Sequence, residues 1–147
     1  MKHYLVYHSV ERMGTSFRDR EETEDGDEPF SVVTKKNLRV SPDDVVWLIS
    51  GEKPDDGGAT DYRLEYWFFV EGKRSITDPT FAYQIYGKRG TSFPDGIPLS
   101  GLQWFQDYRE DQLNFRGGMH TLGDPILRHL YAVVRRAERE TPTEGYR

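Results

Sequence analysis

Two neighbouring segments decide the fold: Val45-Val46-Trp47-Leu48-Ile49 and Tyr62-Arg63-Leu64-Glu65-Tyr66-Trp67-Phe68-Phe69-Val70. Successive side chains of a β-strand point to opposite faces, and in both segments each face carries large aromatic or aliphatic residues. The predicted faces of the first strand are Val45, Trp47 and Ile49 on one side and Val46 and Leu48 on the other. In the second strand, the residues predicted to share a face are Leu64, Tyr66, Phe68 and Val70. Strands buried on both sides favour a small twisted, partly closed β-barrel whose outside is covered by helices or loops.

Three further strands are predicted on either side of this stretch. They are Tyr4–His8, Phe30–Thr34 and Phe81–Tyr86, and the second is rich in the β-branched residues that favour strands. Ser41-Pro42-Asp43-Asp44 predicts a turn, because proline at the second position already has the backbone angle that the turn needs. Gly87-Lys88-Arg89-Gly90 predicts a loop that carries two positive charges. The chain is therefore expected to fold mainly as β-structure.

Two helices are predicted in the last third of the chain. Ser100-Gly101-Leu102-Gln103 matches the Ser-x-x-Gln capping box and predicts a short helix over residues 101–110. Asp124 as N-cap and Pro125 in the first turn predict the start of a second helix. The apolar stripe of this second helix comprises Ile126, Leu127, Leu130, Val133, Val134 and Ala137. The predicted fold class is therefore α+β, a twisted, partly closed barrel with peripheral helices.

Length and composition set the broad class of the protein. A chain of 147 residues fits a single domain over residues 1–147, and the 14% of aromatic residues indicates a core of few, bulky side chains. The sequence contains no cysteine, so disulfides, thiolate zinc sites and cysteine nucleophiles are excluded. Because we find neither a signal peptide nor a long apolar segment, we expect a cytoplasmic protein without a membrane partner.

The net charge of −5 is concentrated in one segment. Residues 18–28 hold seven acidic and two basic side chains. Their net charge of −5 equals the net charge of the whole chain. Residues 14–29 also lack apolar periodicity, so we predict a mobile acidic loop there. The remaining residues are neutral in sum, and they can still present a basic face to a polyanion because solvated loop charges are screened within about 10 Å.

No catalytic motif is present. The four histidines His3, His8, His120 and His129 have no ligand spacing, so we predict no metal site. Neither a nucleophile elbow, a P-loop nor a dinucleotide-binding glycine pattern occurs. We therefore expect no catalytic residue and no cofactor, although an enzyme whose acidic residues assemble from loops stays open.

Aromatic side chains beside polar strand residues are the main candidates for binding. Tyr4, Tyr7, Trp47, Tyr66, Trp67 and Phe68 could form a cage that stacks on a flat base or receives a flipped nucleotide. A mostly apolar pocket also needs a few polar groups to recognise the edge of a base. The alternative is that the rings belong to the core and the polar residues to strand edges. The seven residues predicted to contact a base are Tyr7, His8, Ser31, Thr34, Trp47, Ser50 and Phe68.

Basic residues in the predicted loops are the candidates for phosphate contacts. Lys35 and Lys36 follow the strand Phe30–Thr34, and Lys88 and Arg89 lie in the glycine-flanked loop. Loops between strands are where a barrel would hold a nucleic-acid backbone. The alternative for all four is ordinary solvated surface charge.

The order of motifs along the chain resembles a known family. The resemblance is carried by Tyr4–His8, by Phe30–Lys36, and by Asp43–Gly51, which is similar to a Gly-Asp-x-Val motif followed by an apolar strand. Asp43 stands where that motif usually has glycine. Trp104-Phe105 and the Asn114-Phe115-x-x-Gly118 pattern extend the resemblance. These motifs are similar to those of PUA-like barrels, and within them the EVE and SRA-type readers of modified bases.

This resemblance implies a function. It implies recognition of a modified base, with modified cytosine in double-stranded DNA as the expected ligand, by flipping of the base into an aromatic pocket. Similar domains are the specificity domains of modification-dependent restriction endonucleases that contain an HNH nuclease. This chain has no nuclease motif, so cleavage would come from a nuclease on another chain or not occur at all. The alternative from the residues themselves is a non-catalytic protein-interaction module that uses the acidic loop and the arginine-rich last helix.

Overall fold

The computed structural model describes residues 1–9, 30–112, 115 and 118–140. These residues form a five-stranded sheet, the large sheet, and a three-stranded sheet, the small sheet, with two helices. The strands are β1 (His3–Ser9), β2 (Phe30–Thr34), β3 (Val45–Glu52), β4 (Asp61–Phe69), β5 (Gly72–Ser75), β6 (Tyr83–Gly87), β7 (Gly90–Pro98) and β8 (His120–Thr121). The helices are α1 (Gln103–Asp111) and α2 (Asp124–Glu140). The predicted α+β class is confirmed.

The large sheet has the strand order β7-β4-β3-β1-β8, and the small sheet has the order β2-β6-β5. β1 and β3 are parallel, with His3 opposite Val45 and His8 opposite Ser50, and all other neighbouring strands are antiparallel. The ladders of the described residues join into these two sheets and not into a closed barrel.

Both faces of the large sheet are buried, as the sequence predicts. The helix-side cluster, which α1 and α2 cover, contains Leu5, Val45, Trp47, Ile49, Tyr62, Leu64, Leu99, Phe105, Tyr108, Phe115 and Leu130. The inter-sheet cluster, between the two sheets, contains Tyr4, Val6, Val32, Val46, Leu48, Phe68, Val70, Ile85 and Met119. The central strand β3 therefore alternates between two apolar layers, which explains why it has no polar face.

A β-bulge changes the predicted faces of β4. Ile49 pairs with Leu64 while the preceding Leu48 pairs with Tyr66, so Glu65 is an extra residue in the ladder. Leu64 consequently belongs to the helix-side cluster, whereas Phe68 belongs to the inter-sheet cluster. The prediction that Leu64 shares a face with Tyr66, Phe68 and Val70 is wrong, because one extra residue reverses the alternation.

The two sheets are joined by two strand pairs that continue from one sheet into the other. β4 of the large sheet leads into β5 of the small sheet through Val70 and Glu71, and β6 leads into β7 through Lys88 and Arg89. Backbone hydrogen bonds hold this bend, including Glu71 N to Tyr86 O at 2.9 Å and Phe69 N to Arg89 O at 2.9 Å. The bend fixes how the small sheet lies over the large one.

The predicted elements agree with the structure except in weakly apolar segments. The five predicted strands correspond to β1, β2, β3, β4 and β6, with ends that differ by a few residues. β5, β7 and β8 were not predicted, because β5 reads Gly-Lys-Arg-Ser and β7 contains two prolines. The predicted loop over residues 87–90 is shorter in the structure, since Gly87 and Gly90 belong to β6 and β7.

The two helices differ in how well their starts were predicted. α2 begins at Asp124 as predicted, and its apolar stripe packs against the helix-side cluster. α1 begins at Gln103 after the N-cap residue Leu102, which makes no side-chain capping hydrogen bond. The capping box is therefore wrong, because the Ser100 hydroxyl accepts from Tyr62 N at 2.8 Å and donates to Thr60 O at 3.2 Å instead.

The turn before β3 explains an unusual residue in the sequence. Asp44 N donates to Ser41 O at 3.0 Å, which confirms the predicted turn. Asp43 has a φ of 72°, the left-handed conformation that glycine adopts most readily. Asp43 therefore holds a left-handed turn position with a residue that adopts this conformation less readily than glycine does.

Two predictions concern residues outside the described part of the chain. They are the mobile acidic loop over 14–29 and Asn114 in the Asn114-Phe115-x-x-Gly118 pattern. Within the described residues, we find no helix with the length and apolar character needed to cross a membrane.

Candidate functional site

Three polar side chains are buried between the sheets. His8, Ser50 and Glu65 expose only 3%, 7% and 2% of their surface, and we call them the polar cluster. His8 and Ser50 lie opposite each other on the parallel strands β1 and β3, on the inter-sheet face. The Ser50 hydroxyl donates a hydrogen bond to Glu65 Oε2 at 2.5 Å. A carboxylate, a hydroxyl and an imidazole are thus brought to one place in an apolar layer.

Irregularities on both sides of β4 place the Glu65 carboxylate in this layer. Towards β3, Glu65 is the extra residue of the bulge. Towards β7, Ser92 pairs with Tyr66 and Ile97 with Leu64, so that residues 93–96 oppose Glu65 alone. Asp95 and Gly96 within that segment have φ values of 63° and 70°. Bulges re-aim side chains and are frequent next to functional sites, and here two of them meet at one buried carboxylate.

Two half-buried aromatic rings adjoin the inter-sheet layer near the polar cluster. Phe30 stacks on Phe68 with ring centroids 5.8 Å apart and an interplanar angle of 9°. The Tyr66 ring lies 5.3 Å from Phe30 in an edge-to-face arrangement, and its hydroxyl donates to Ser31 O at 2.7 Å. A flat ligand that displaced part of this contact would find apolar ring faces next to the polar cluster.

The sequence-based site prediction did not include Glu65 or Phe30. A usable signal for Glu65 was present, because it is a carboxylate in the middle of a strand whose other residues from Leu64 to Val70 are all apolar or aromatic. The bulge that turns it inward gave no such signal. Phe30 begins its strand and gave no indication of a role beyond packing.

The structure separates the seven residues that were predicted to contact a base. His8 and Ser50 lie together, and Phe68 lies on the same inter-sheet face. Tyr7 and Trp47 lie on the helix side of the large sheet instead. A ligand bound between the sheets would therefore contact neither ring, because both rings lie on the other face of the large sheet.

The rings of Tyr7 and Trp47 have packing roles on the helix side. Tyr7 lies 5.8 Å from Tyr62 and 5.2 Å from Phe115, measured between ring centroids. Trp47 is fully buried, and its Nε1 donates to His3 Nδ1 at 3.1 Å. Both rings thus serve the core that holds the helices on the sheet.

Ser31 and Thr34 lie on β2 of the small sheet and are not members of the polar cluster. Ser31 alternates with the buried Val32, so its side chain is on the outer face of the small sheet and only its carbonyl meets Tyr66. Thr34 faces inward at the other end of β2, where its hydroxyl accepts from Lys36 N at 3.1 Å. Of the seven predicted residues, the structure therefore brings His8 and Ser50 into one polar cluster.

The four predicted phosphate contacts lie in two places. Lys36 Nζ donates to Met119 O at 3.1 Å, beside the edge strand β8. Arg89 pairs with Asp43 at 2.9 Å and lies 4.8 Å above the Phe69 ring, next to β4. In the large sheet, strands β8 and β4 are three strand spacings apart, which is about 14 Å. The two pairs of basic residues therefore lie beside different strands. Lys35 and Lys88 are exposed beside Lys36 and Arg89 respectively.

A second polar pair, the buried Tyr108 and the half-buried His120, lies on the helix side. The Tyr108 hydroxyl hydrogen-bonds to His120 Nε2, and His120 Nδ1 lies 3.1 Å from Gly118 O. Since a carbonyl only accepts, Nδ1 carries the proton and Nε2 accepts from the tyrosine. Burial lowers the pKa of His120, the positive charge of Lys36 adds to the lowering, and the hydrogen bond to Gly118 opposes it. Burial also raises the pKa of Tyr108. The pair is thus held neutral and ties α1 to β8.

We expect this neutral histidine to make stability depend on pH. The pKa of His120 in the folded protein lies below its ordinary value of 6.5, so the unfolded chain binds the proton more readily. The free energy of unfolding should be highest above about pH 6.5 and fall as the pH drops towards the lowered value. Urea unfolding between about pH 5 and 7.5 measures the effect.

The matched variants for this pH dependence are His120→Gln and His129→Gln. His120→Gln should flatten the pH dependence, though part remains because burial also lowers the pKa of His3. His129 is exposed on α2, where its ring stacks on Trp104 at 4.8 Å, so His129→Gln is the control for the loss of an exposed imidazole. An unaltered profile in His120→Gln would show that the buried imidazole is not responsible.

Comparison with known proteins gives no relative for this arrangement. No family model, curated protein or solved structure matches the chain. Within residues 1–9, 30–112, 115 and 118–140, no group of three or more histidine, aspartate or glutamate side chains could hold a metal ion. The residues of the polar cluster are therefore interpreted from their own chemistry.

Proposed function

We propose that this protein binds nucleic acid that carries a modified base, and that the base is flipped into the site between the sheets. The observation that carries the proposal is the Glu65 carboxylate, which two backbone irregularities aim into a buried apolar layer. Burial of a carboxylate is costly unless it is hydrogen-bonded, and the Ser50 hydroxyl donates to Glu65 in this layer. The expected ligand is modified cytosine in double-stranded DNA, in line with the resemblance to PUA-like readers.

The chemistry of the polar cluster supports a base with an exocyclic amine. A glutamate carboxylate accepts a hydrogen bond from the N4 amine of cytosine. The Ser50 hydroxyl, which Glu65 already orients at 2.5 Å, and His8 beside it add further polar contacts. Phe30 and Tyr66 supply ring faces, each worth about 1–3 kcal/mol per stacked base. Two such contacts offset the few kcal/mol that extrusion of a base from the duplex costs.

Basic residues around the sheets support backbone contacts in this proposal. Lys35 and Lys88 are exposed, and Lys36 and Arg89 are held in place by Met119 O and Asp43. Lysine and arginine at such positions contact phosphates without reading sequence. In this proposal the protein is a cytoplasmic reader without a cofactor, and a nuclease on another chain cleaves the DNA.

The test is a fluorescence-anisotropy titration with matched duplexes that contain unmodified, methylated or hydroxymethylated cytosine, at two salt concentrations. We expect preference for a modified duplex and weaker binding at higher salt, since phosphate contacts release counterions. Glu65→Gln should reduce the affinity for the modified duplex about tenfold or more, because the amide loses one acceptor oxygen. Glu71→Gln, at an exposed position in the connection from β4 to β5, is the matched control and should change affinity less than about twofold.

Three outcomes of this titration are informative. Equal affinity for all duplexes would contradict recognition of a modification, and unchanged preference in Glu65→Gln would contradict the assigned site. Failure to bind any duplex would favour a non-catalytic protein-interaction module. Thermal melting of each variant verifies that a lost affinity is not lost folding.

A further inference from the structure

The connection from β2 to β3, residues 35–44, carries a group of basic side chains. Its exposed basic residues are Lys35, Lys36 and Arg39. Lys73 on β5 joins them, because its Nζ donates to Asn37 Oδ1 at 2.5 Å and to Leu38 O at 3.0 Å. Two chain segments that are far apart in sequence thus bring four positive charges together, and we call these four residues the basic surface.

Two charges of the basic surface are held in place without being neutralised. Lys36 Nζ donates to Met119 O at 3.1 Å, and Lys73 donates to an amide oxygen and a carbonyl oxygen, all of which are neutral acceptors. None of the four basic residues forms an ion pair with a described residue. Arg89, in the other predicted phosphate-binding segment, instead pairs with Asp43 at 2.9 Å. The basic surface therefore keeps its charge available for an anion.

The acidic residues in the same two segments leave an excess of positive charge. Residues 35–44 and 71–74 hold five basic and three acidic side chains, a net charge of +2 in a chain of net charge −5. Asp43 is paired with Arg89, and Asp44 accepts hydrogen bonds from Lys2 N and Ser41 N. Lysine and arginine groups that no carboxylate neutralises are the usual contacts of phosphate groups.

The strand β1 relates the basic surface to the polar cluster. The Tyr4 hydroxyl donates to Arg39 O at 3.2 Å, and Tyr4 lies four residues before His8 on the same strand. At about 3.3 Å per residue, these two positions on β1 are about 13 Å apart. This distance equals the rise of about four nucleotides in one strand of a duplex. A nucleic acid at the polar cluster could therefore reach the basic surface with its backbone.

We infer that the basic surface binds backbone phosphates of the nucleic acid, and that Arg39 and Lys73 contact phosphate together with the predicted Lys35 and Lys36. The inference rests on the proposed function for its partner, but not on the modification of the base, because phosphate contacts carry no sequence information. Lys88 and Arg89 contribute less, because Asp43 neutralises Arg89.

The first test uses an unmodified duplex in anisotropy titrations at about 50 and 200 mM salt. Arg39→Gln combined with Lys73→Gln should weaken binding at the lower salt about tenfold and lower the salt slope by about 1.8, since each phosphate contact on a duplex contributes about 0.9. Arg128→Gln combined with Arg135→Gln removes the same charge from two exposed positions on α2. This control should change affinity less than about twofold. Equal losses in the two double variants would overturn the inference in favour of general charge attraction.

The second test separates charge from the structure of the connection. Lys73→Gln also loses the contacts to Asn37 and Leu38, so Arg39 is replaced alone, at its exposed position. Arg39→Gln should lower the salt slope by about 0.9, whereas Arg39→Lys keeps the charge and should keep the slope of the wild type. An unchanged slope in Arg39→Gln, or an equal fall in Arg39→Lys, would overturn the assignment of Arg39.

A third comparison distinguishes this inference from the proposed function. The double variant of Arg39 and Lys73 should lose affinity for modified and unmodified duplexes by the same factor, because phosphates are common to both. A loss confined to the modified duplex would overturn the inference. Equal affinity of the wild type for all duplexes, with the expected loss in the double variant, would contradict only the recognition of a modified base. Failure to bind any duplex at about 50 mM salt would overturn the inference and leave an acidic protein segment as the better partner.

Discussion

Alanine at Gly87 or Gly90 is expected to lower the free energy of unfolding by about 3 kcal/mol or more. A Cβ atom at Gly87 would lie 2.1 Å from the carbonyl oxygen of Phe69, and one at Gly90 would lie 2.2 Å from that of Trp67. Both atoms belong to the backbone of the same β4 strand, so neither can rotate away as a side chain would. The two glycines thus allow β6 and β7 to pass β4 where the two sheets join. Urea unfolding of the two variants measures the loss.

Gly101→Ala is the matched control for this prediction. No heavy atom lies within 4 Å of the Cβ position at Gly101, which is exposed before α1. Its free energy of unfolding should stay within about 0.5 kcal/mol of the wild type. If Gly87→Ala were as stable as Gly101→Ala, the strand crossing would not be the close contact described here.

Removal of the Asp44 carboxylate should cost about 2–4 kcal/mol of stability. The side chain is buried, and its two oxygens accept hydrogen bonds from Lys2 N and Ser41 N, each at 2.9 Å. Asp44→Ala leaves both backbone donors without these acceptors, and it detaches the segment before β1 from the turn before β3. Denaturant unfolding should show a lower midpoint with an unchanged slope.

The neighbouring variant Asp43→Gly separates this effect from a general loss of aspartate. Asp43 has a φ of 72°, which favours glycine, and its ion pair with Arg89 joins two side chains that are each 70% exposed. Exposed pairs contribute little, so Asp43→Gly should be neutral or slightly stabilising, within about 1 kcal/mol. Equal destabilisation by both variants would show that the turn itself, and not the buried carboxylate, determines the cost.

Alternation of side chains predicted much of the fold because each strand has only two faces. β3 fulfils the expectation without exception, with Trp47 on the helix side and Leu48 between the sheets. In β4 the same reasoning fails at Glu65, because a bulge depends on pairing with two neighbouring strands and not on local sequence. β5 was missed for a related reason, since its Gly-Lys-Arg-Ser sequence becomes a strand through pairing with β6.

The same alternation could have corrected part of the site prediction. Tyr7 and His8 are adjacent in one strand, so their side chains point to opposite faces and cannot line one pocket. The site prediction nevertheless assigned both to one base-binding site, Tyr7 for stacking and His8 for a polar contact. The pairing of His8 with Ser50 required the parallel register of β1 and β3, which no single segment specifies. The position of the polar cluster therefore depends on tertiary structure, whereas the strands β1 and β3 could be predicted from local sequence.

The continuous passage of β4 into β5 and of β6 into β7 gives the protein a mechanical property. A ligand that separates the two sheets must flex these paired strands near Val70 and Arg89, since the described ladders join the sheets nowhere else. Arg89 contacts both Asp43 and the Phe69 ring at that bend. A change in the angle between the sheets would therefore displace Arg89 relative to Asp43 and to the Phe69 ring, which links the bend to the turn before β3.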